Sequence, residues 1–89
     1  MKIEVLFFGR PRELAGSARK LVTVKNGACL ADLFRVLETR YGIRYARDLK
    51  QKDAVMVMVN GRNAANLGGL ETPLEDQNTV AIMPVVVGG

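Results

Sequence analysis

The chain has 89 residues, of which 48% are hydrophobic, and 13 lysines and arginines against nine aspartates and glutamates give a net charge of +4. This is enough for one small domain with a core, and no apolar run approaches the ~20 residues that span a bilayer. The absence of histidine excludes Ser-His triads, imidazole general bases and most zinc sites, and the single cysteine, unable to form an internal disulfide, suits a reducing cytoplasm.

The first predicted elements are two strands. Residues 2–9, KIEVLFFG, and residues 18–25, ARKLVTVK, are rich in β-branched and aromatic residues and predict a hairpin. Between them, RPRELAGS contains a proline and a glycine and predicts a turn region with room for a short helix. In the first strand, one face carries Ile3, Val5 and Phe7, and the other carries Glu4, Leu6 and Phe8.

The apolar period then changes to that of a helix. The spacing of Leu30, Leu33, Phe34, Leu37 and Tyr41 predicts a helix over residues 29–41 with one apolar face. We expect Asn26 as its cap, Asp32 in its first turn and Gly42 as its C-terminal stop. Residues 43–53, IRYARDLKQKD, predict a charged connection.

Two more strands follow the helix. AVMVMVNGRN predicts a strand with valines on one face and Met56 and Met58 on the other, ending in a tight Asn-Gly turn. Residues 64–78 predict an irregular, turn-rich excursion, and TVAIMPV predicts the last strand. The helical crossover allows the first and last strands to lie parallel at the centre of the sheet. The sequence therefore predicts a single α+β domain over residues 1–89: a β-grasp (ubiquitin-like) fold, with a mixed four- to five-stranded sheet and one main helix on one face.

Three segments carry a resemblance to a known family. VLFFGRPRELAG, VNGRN and TPLEDQNTVAIMPVVVGG, with the helix between them, resemble the prokaryotic sulfur carriers, above all the small subunit of molybdopterin synthase. Members commonly combine an FF…REL.G opening with an ending of Val-Ala-aromatic-Pro-Pro-Val-x-Gly-Gly. Here Met83 replaces the aromatic residue and Val85 the second proline, differences that bear on which partner the tail enters.

The resemblance implies a function for the last two glycines. Family members are not enzymes by themselves: an adenylating (ubiquitin-activating-like) enzyme uses ATP to activate the terminal carboxylate, which then becomes a thiocarboxylate. By this resemblance Gly89 carries the sulfur. Gly88 has no Cβ, so the extended chain is narrow enough to enter a tight channel of the partner. We expect residues 84–89 to form an extended tail, which could reach ~20 Å at ~3.3 Å per residue. The implied partners are the adenylating enzyme and the large subunit of molybdopterin synthase, with no bound cofactor or metal.

A second feature predicts a docking surface. One helix covers only one face of a sheet, so the other face presents Leu6, Phe8, Met56, Met58 and Met83. An apolar surface of this kind is covered either by a partner or by the long excursion. Methionines suit a surface that adapts to more than one partner.

Carriers of other thiolation pathways, for thiamin, cysteine or tRNA, share the two glycines, so the final sulfur acceptor stays open. Two other functions compete with the sulfur carrier. A ubiquitin-like modifier joined to lysines through Gly89 would use the same adenylated intermediate. A plain binding module for nucleic acid is disfavoured, because the basic stretches lack an RNA-recognition aromatic signature, a GXXG loop or a helix-turn-helix pattern. We expect Cys29 to act as a small apolar residue and NLGGL to be a turn, since it lacks the features of a P-loop.

Overall fold

The computed structural model describes residues 1–45 and 54–85. Within these ranges lie five strands, two α-helices and two single turns of 3₁₀-helix. In chain order the elements are β1 (Lys2–Phe7), α1 (Arg10–Ala15), β2 (Arg19–Thr23), α2 (Leu30–Tyr41), β3 (Val55–Val59), β4 (Arg62–Asn63), 3₁₀ turns at Ala64–Asn66 and Gly69–Glu71, and β5 (Thr79–Pro84). None of the helices in these ranges is long and apolar enough to cross a bilayer.

The five strands form one mixed sheet in the order β2-β1-β5-β3-β4. β1 and β5 are parallel and adjacent, with Val5 opposite Val80, as predicted from the helical crossover. β2 pairs antiparallel with β1, and β3 pairs antiparallel with both β5 and β4. The β-grasp prediction is therefore confirmed.

Helix α2 packs its apolar face on one side of this sheet. Leu30, Leu33 and Leu37 are fully buried, because their spacing places them along one stripe of the helix. At its C-terminus Gly42 adopts the left-handed conformation (φ 72°), and its N–H donates to the Glu38 carbonyl at 2.9 Å. The predicted stop at Gly42 is confirmed.

The start of α2 corrects the sequence prediction. The N-cap is Cys29, not Asn26, and the helix begins at Leu30. The Cys29 N–H donates to Asp32 Oδ2 at 2.9 Å, and this hydrogen bond is the main reason why the pKa of the Asp32 carboxyl lies below its ordinary value. Asp32 thus lies in the first turn, as predicted.

The core lies between the sheet and α2. It includes alternate residues of the strands, since successive side chains point to opposite faces: Ile3, Val5, Phe7, Val22, Val55, Val57, Val59, Val80 and Ile82. The excursion after β4 belongs to the same side: Ala64 and Leu74 are in the core, and Leu67 and Leu70 pack against it. The excursion therefore extends the core rather than crossing the opposite face of the sheet.

Three strand boundaries differ from the prediction, and one short helix agrees with it. RPRELA forms helix α1, the short helix for which the sequence left room, with Pro11 in its first turn. β1 ends at Phe7 rather than residue 9, and β2 spans only Arg19–Thr23. β5 ends at Pro84, one residue before the end of the predicted strand, so Pro84 belongs to the sheet and not to the expected tail; residues 86–89 lie outside the described residues. Most of the predicted charged connection (residues 46–53) lies outside the described residues.

Candidate functional site

The sheet order fixes where the chain leaves the domain. β5 is the last strand and lies between β1 and β3, and because β1 and β5 are parallel they finish at the same end of the sheet. We call this the tail end. Gly88 and Gly89 lie outside the described residues, so their role remains a prediction, but the residues that lead to them are in place.

Backbone hydrogen bonds hold the chain on both sides as it leaves the sheet. On one side the Phe8 N–H, just beyond β1, donates to the Ile82 carbonyl at 3.0 Å. On the other side the Val85 N–H donates to the Ala54 carbonyl at 3.3 Å, just before β3. The ladder of the sheet thus continues one residue past β5, and the exit of the tail is a defined position.

The face of the sheet opposite α2 carries the apolar side chains expected there. Phe8 is 47% exposed. The other four residues expected there, Leu6, Met56, Met58 and Met83, are partly exposed and do not belong to the core. The register brings them together: Met56 lies opposite Met83, and Met58 lies opposite Ala81, which is itself opposite Leu6. We call Leu6, Phe8, Met56, Met58 and Met83 the open face. Leu6, Met56, Met58 and Met83 lie on the strands as expected, and Phe8 lies one residue beyond β1. The role of all five residues in binding a partner remains a prediction.

The same side of the sheet becomes polar away from the tail end. Glu4 pairs with Arg19 of β2, and Thr79 donates a hydrogen bond to Glu4 Oε1 at 3.3 Å. The hydrogen bond from Arg19 is the largest cause of the lowered pKa of the Glu4 carboxyl. On β1, β3 and β5 the large apolar residues of this side therefore lie in the half from which the tail emerges, whereas on β2 the exposed Leu21 lies opposite Glu4.

One residue at the tail end was not singled out from the sequence. Gly9 links β1 to α1 with φ 62° and ψ −134°, and an added Cβ would lie 2.9 Å from Cγ of Pro84. The signal in the sequence is a glycine directly after an apolar strand, which is too common to indicate a contact with a residue at the other end of the chain.

The remaining candidates form no second site. Cys29 is partly buried at the start of α2, less enclosed than a core residue. Arg62 is exposed in β4 after the Asn60-Gly61 turn, and NLGGL contributes to a turn and a short 3₁₀ segment, as expected. Residues 1–45 and 54–85 contain no cluster of three His, Cys, Asp or Glu side chains that could hold a metal ion.

Sheet order, single main helix and exit of the last strand define a ubiquitin-like β-grasp protein, and comparison with known proteins agrees. The model of the ThiS family matches residues 5–89. Small archaeal modifier protein 3 of Haloferax volcanii is 36% identical over 92 residues, with all of both chains covered.

Solved structures give the same result. A putative molybdopterin converting factor, subunit 1, from Pyrococcus furiosus has 27% identity and a TM-score of 0.79, covering 97% of this chain and 99% of its own. A chain of the Amycolatopsis orientalis BexX/CysO complex has 29% identity and a TM-score of 0.69, covering 98% of this chain and 99% of its own. The chain belongs to the ThiS family, among the small ubiquitin-like sulfur carriers and modifiers.

Proposed function

We propose that this chain is a sulfur carrier that transfers sulfur from a thiocarboxylate on Gly89. The proposal rests mainly on the position at which the chain leaves the domain. It leaves from the central strand of the sheet, with a backbone hydrogen bond on each side, and the sequence that follows ends in Gly-Gly. The family match, which extends to Gly89, supports it.

The chemistry requires two exchanges at one carbonyl carbon. An adenylating partner binds ATP, and the Gly89 carboxylate oxygen attacks the α-phosphorus, forming the acyl-adenylate and releasing pyrophosphate. A sulfur nucleophile then attacks the carbonyl carbon and displaces AMP, leaving sulfur in place of one oxygen. No oxidant is needed when the donor is sulfide; a persulfide donor requires a thiol to cleave its S–S bond.

The chain's own contribution is presentation rather than catalysis. The sequence holds no histidine to serve as a general base, so nucleotide binding and proton transfer fall to the partner. The open face provides a desolvating contact beside the tail, and the glycines allow the last residues to enter a narrow site. We place this exchange in the cytoplasm, where ATP is available and the lone cysteine remains reduced.

The sulfur acceptor that we propose is a pterin precursor, in molybdopterin synthesis. The similarity to the putative molybdopterin converting factor, subunit 1, supports this choice, together with the FF…REL.G opening. The second partner would then be the large subunit of molybdopterin synthase. The similarity to a chain of the BexX/CysO complex supports a mode of action that needs a partner protein.

The second candidate function is that of a protein modifier linked to lysines through Gly89. The relative that is 36% identical over the whole chain is named a modifier, which specifically favours this alternative. Both functions share the acyl-adenylate, and they differ only in the nucleophile that follows.

Reconstitution with an adenylating enzyme from the same host separates the two. The reaction contains ATP, magnesium and sulfide, and then either a pterin precursor with the synthase large subunit or a lysate as the source of target lysines. A carrier yields sulfurated pterin and consumes the thiocarboxylate. A chain that yields only lysine-linked conjugates is a modifier, and a chain that is never adenylated refutes both functions.

A further inference from the structure

Gly9 and Pro84 meet at the tail end, from opposite ends of the chain. A Cβ built on Gly9 would lie 2.9 Å from Cγ of Pro84, closer than real Cβ atoms approach a neighbour, and 3.0 Å from Cδ, a tight contact. We propose that Gly9 is a positioning residue: its bare α-carbon lets Pro84 rest against the β1–α1 turn, and this contact sets the direction in which the tail leaves the sheet. The inference rests on the proposed function, because the direction of the tail matters only if Gly89 has to enter the active site of a partner.

The turn at Gly9 is itself held in place. Its φ of 62° and ψ of −134° lie where residues with a side chain are strained. Its carbonyl accepts hydrogen bonds from the N–H groups of Arg12 (3.1 Å) and Glu13 (3.3 Å), and Pro11 of α1 is buried. The turn therefore offers Pro84 a fixed surface rather than a mobile loop.

Pro84 is equally restricted. Its ring fixes its own φ, its backbone pairs with Val55 of β3, and the next residue, Val85, donates its N–H to the Ala54 carbonyl. The exit of the tail is thus bounded by a side-chain contact to Gly9 on the β1 side and by a hydrogen bond on the β3 side. Moving either boundary should change the direction in which the chain leaves the sheet at Val85.

The contact distinguishes Gly9 from the other glycines with positive φ in the described residues. Gly16 and Gly42 have φ of 69° and 72°, and a Cβ on either would meet no atom within 4 Å. Backbone strain is common to all three positions, but only at Gly9 is there also an encounter below 3.0 Å. Gly16→Ala is therefore a control for a strained turn that does not touch the tail.

The experiment is a double-mutant cycle of Gly9→Ala and Pro84→Ala in the full chain. Alanine at 84 removes Cγ and Cδ and keeps Cβ, which lies 3.7 Å from the position of the new Cβ, an ordinary contact. Backbone strain at residue 9 is the same in Gly9→Ala and in the double variant, and the Pro84→Ala single variant corrects for the loss of the ring that fixes φ at residue 84, so the complete cycle isolates the contact.

Two readouts are taken on each variant. The first is hydrogen exchange of the Val85 amide by NMR, which reports the exit of the tail without any partner. The second is steady-state adenylation by the host's adenylating enzyme, followed as pyrophosphate release. Since Gly9 is not part of the open face, misdirection of the tail should lower kcat and leave KM for the carrier unchanged, whereas Phe8→Ala should raise KM.

We expect Gly9→Ala to speed Val85 exchange about tenfold and to lower kcat by about ten- to a hundredfold, the scale of a displacement of about 1 Å at a reacting group. Pro84→Ala added to Gly9→Ala should recover most of both losses, and Gly16→Ala should change neither. Equal kcat for Gly9→Ala and the natural chain, or a loss that Pro84→Ala leaves untouched, would overturn the inference.

A further variant covers the case in which Gly9→Ala does not fold. Pro84→Gly keeps glycine at position 9, so it introduces no backbone strain there, and it removes the contact by deleting the exposed ring of Pro84. It should therefore also speed Val85 exchange and lower kcat. Unchanged exchange in Pro84→Gly would overturn the inference. If the natural chain is not adenylated at all, the proposed function fails, while the exchange measurements still decide whether Gly9 positions the tail.

Discussion

Two adjacent phenylalanines give the sharpest test of the open face. Phe7 is 1% exposed in the core and makes an edge-to-face contact with Tyr41 at 5.9 Å between ring centroids, whereas Phe8 is 47% exposed on the opposite side. Full burial of a phenylalanine stabilises a protein by ~1.5–3 kcal/mol. With about half of its surface buried, Phe8→Ala should therefore lower the free energy of unfolding by about 1 kcal/mol.

The buried neighbour should behave differently. Phe7→Ala creates a cavity and should cost ~3–5 kcal/mol, a large part of a total stability of ~5–15 kcal/mol. Loss of an aromatic side chain at an interface centre costs ~2 kcal/mol or more, or ~30-fold in Kd. Phe8→Ala should thus bind the adenylating enzyme ~30-fold more weakly while remaining folded.

Urea unfolding and isothermal titration calorimetry measure the two quantities. Leu21→Ala is the matched control, because Leu21 is 57% exposed on the same side of the sheet but lies opposite Glu4, in the polar half. It should change neither stability nor Kd by much. A loss of 3 kcal/mol or more in the stability of Phe8→Ala, or an unchanged Kd, would refute the assignment of Phe8 to an open docking face.

Three further predictions follow from the same structure. Deleting Gly88 and Gly89 should leave the melting temperature almost unchanged and abolish adenylation, since no described core residue lies beyond β5; full activation of the shortened chain would contradict the terminal-carboxylate mechanism. The pKa values of Glu4 and Asp32 lie below the ordinary carboxyl values of 4.5 and 3.8. The stability that these two groups contribute is therefore present above those values and is lost as the pH falls through the lower pKa values of the folded protein. Acid unfolding of a Glu4→Gln, Asp32→Asn variant should accordingly show a shallower pH dependence below pH 4.5. Cys29→Ser should still accept sulfur and start α2 at least as well, because serine is a favoured N-cap; a persulfide on Cys29 as the sole sulfur-bearing product would refute this.

Much of the fold could be predicted from local periodicity. The alternation in β1, β3 and β5 placed Val57 and Met58 on opposite faces, and the apolar stripe of α2 placed Leu33 in the core. These patterns are local, so a sequence displays them directly. The parallel pairing of β1 with β5 followed from the crossover helix between them.

What the sequence did not reveal depends on contacts between distant segments. Asn26 is the better N-cap by residue type, yet Cys29 is the cap because the chain is held there by the excursion. Cys29 forms an isolated antiparallel β-bridge with Pro73, and the Leu30 N–H donates to the Thr72 carbonyl at 2.9 Å. The same reason explains why Gly9 was missed, since its importance lies in a contact with Pro84 that no local pattern encodes.

The most direct test of the central claim is the location of sulfur after activation. The chain is incubated with the host's adenylating enzyme, ATP and sulfide, and intact-mass and C-terminal peptide mass spectrometry are applied to the product. We expect one sulfur in place of one oxygen, confined to Gly89, and no change when the enzyme or ATP is omitted. Sulfur found elsewhere in the chain, or modification of the chain by ATP and sulfide alone, would contradict it.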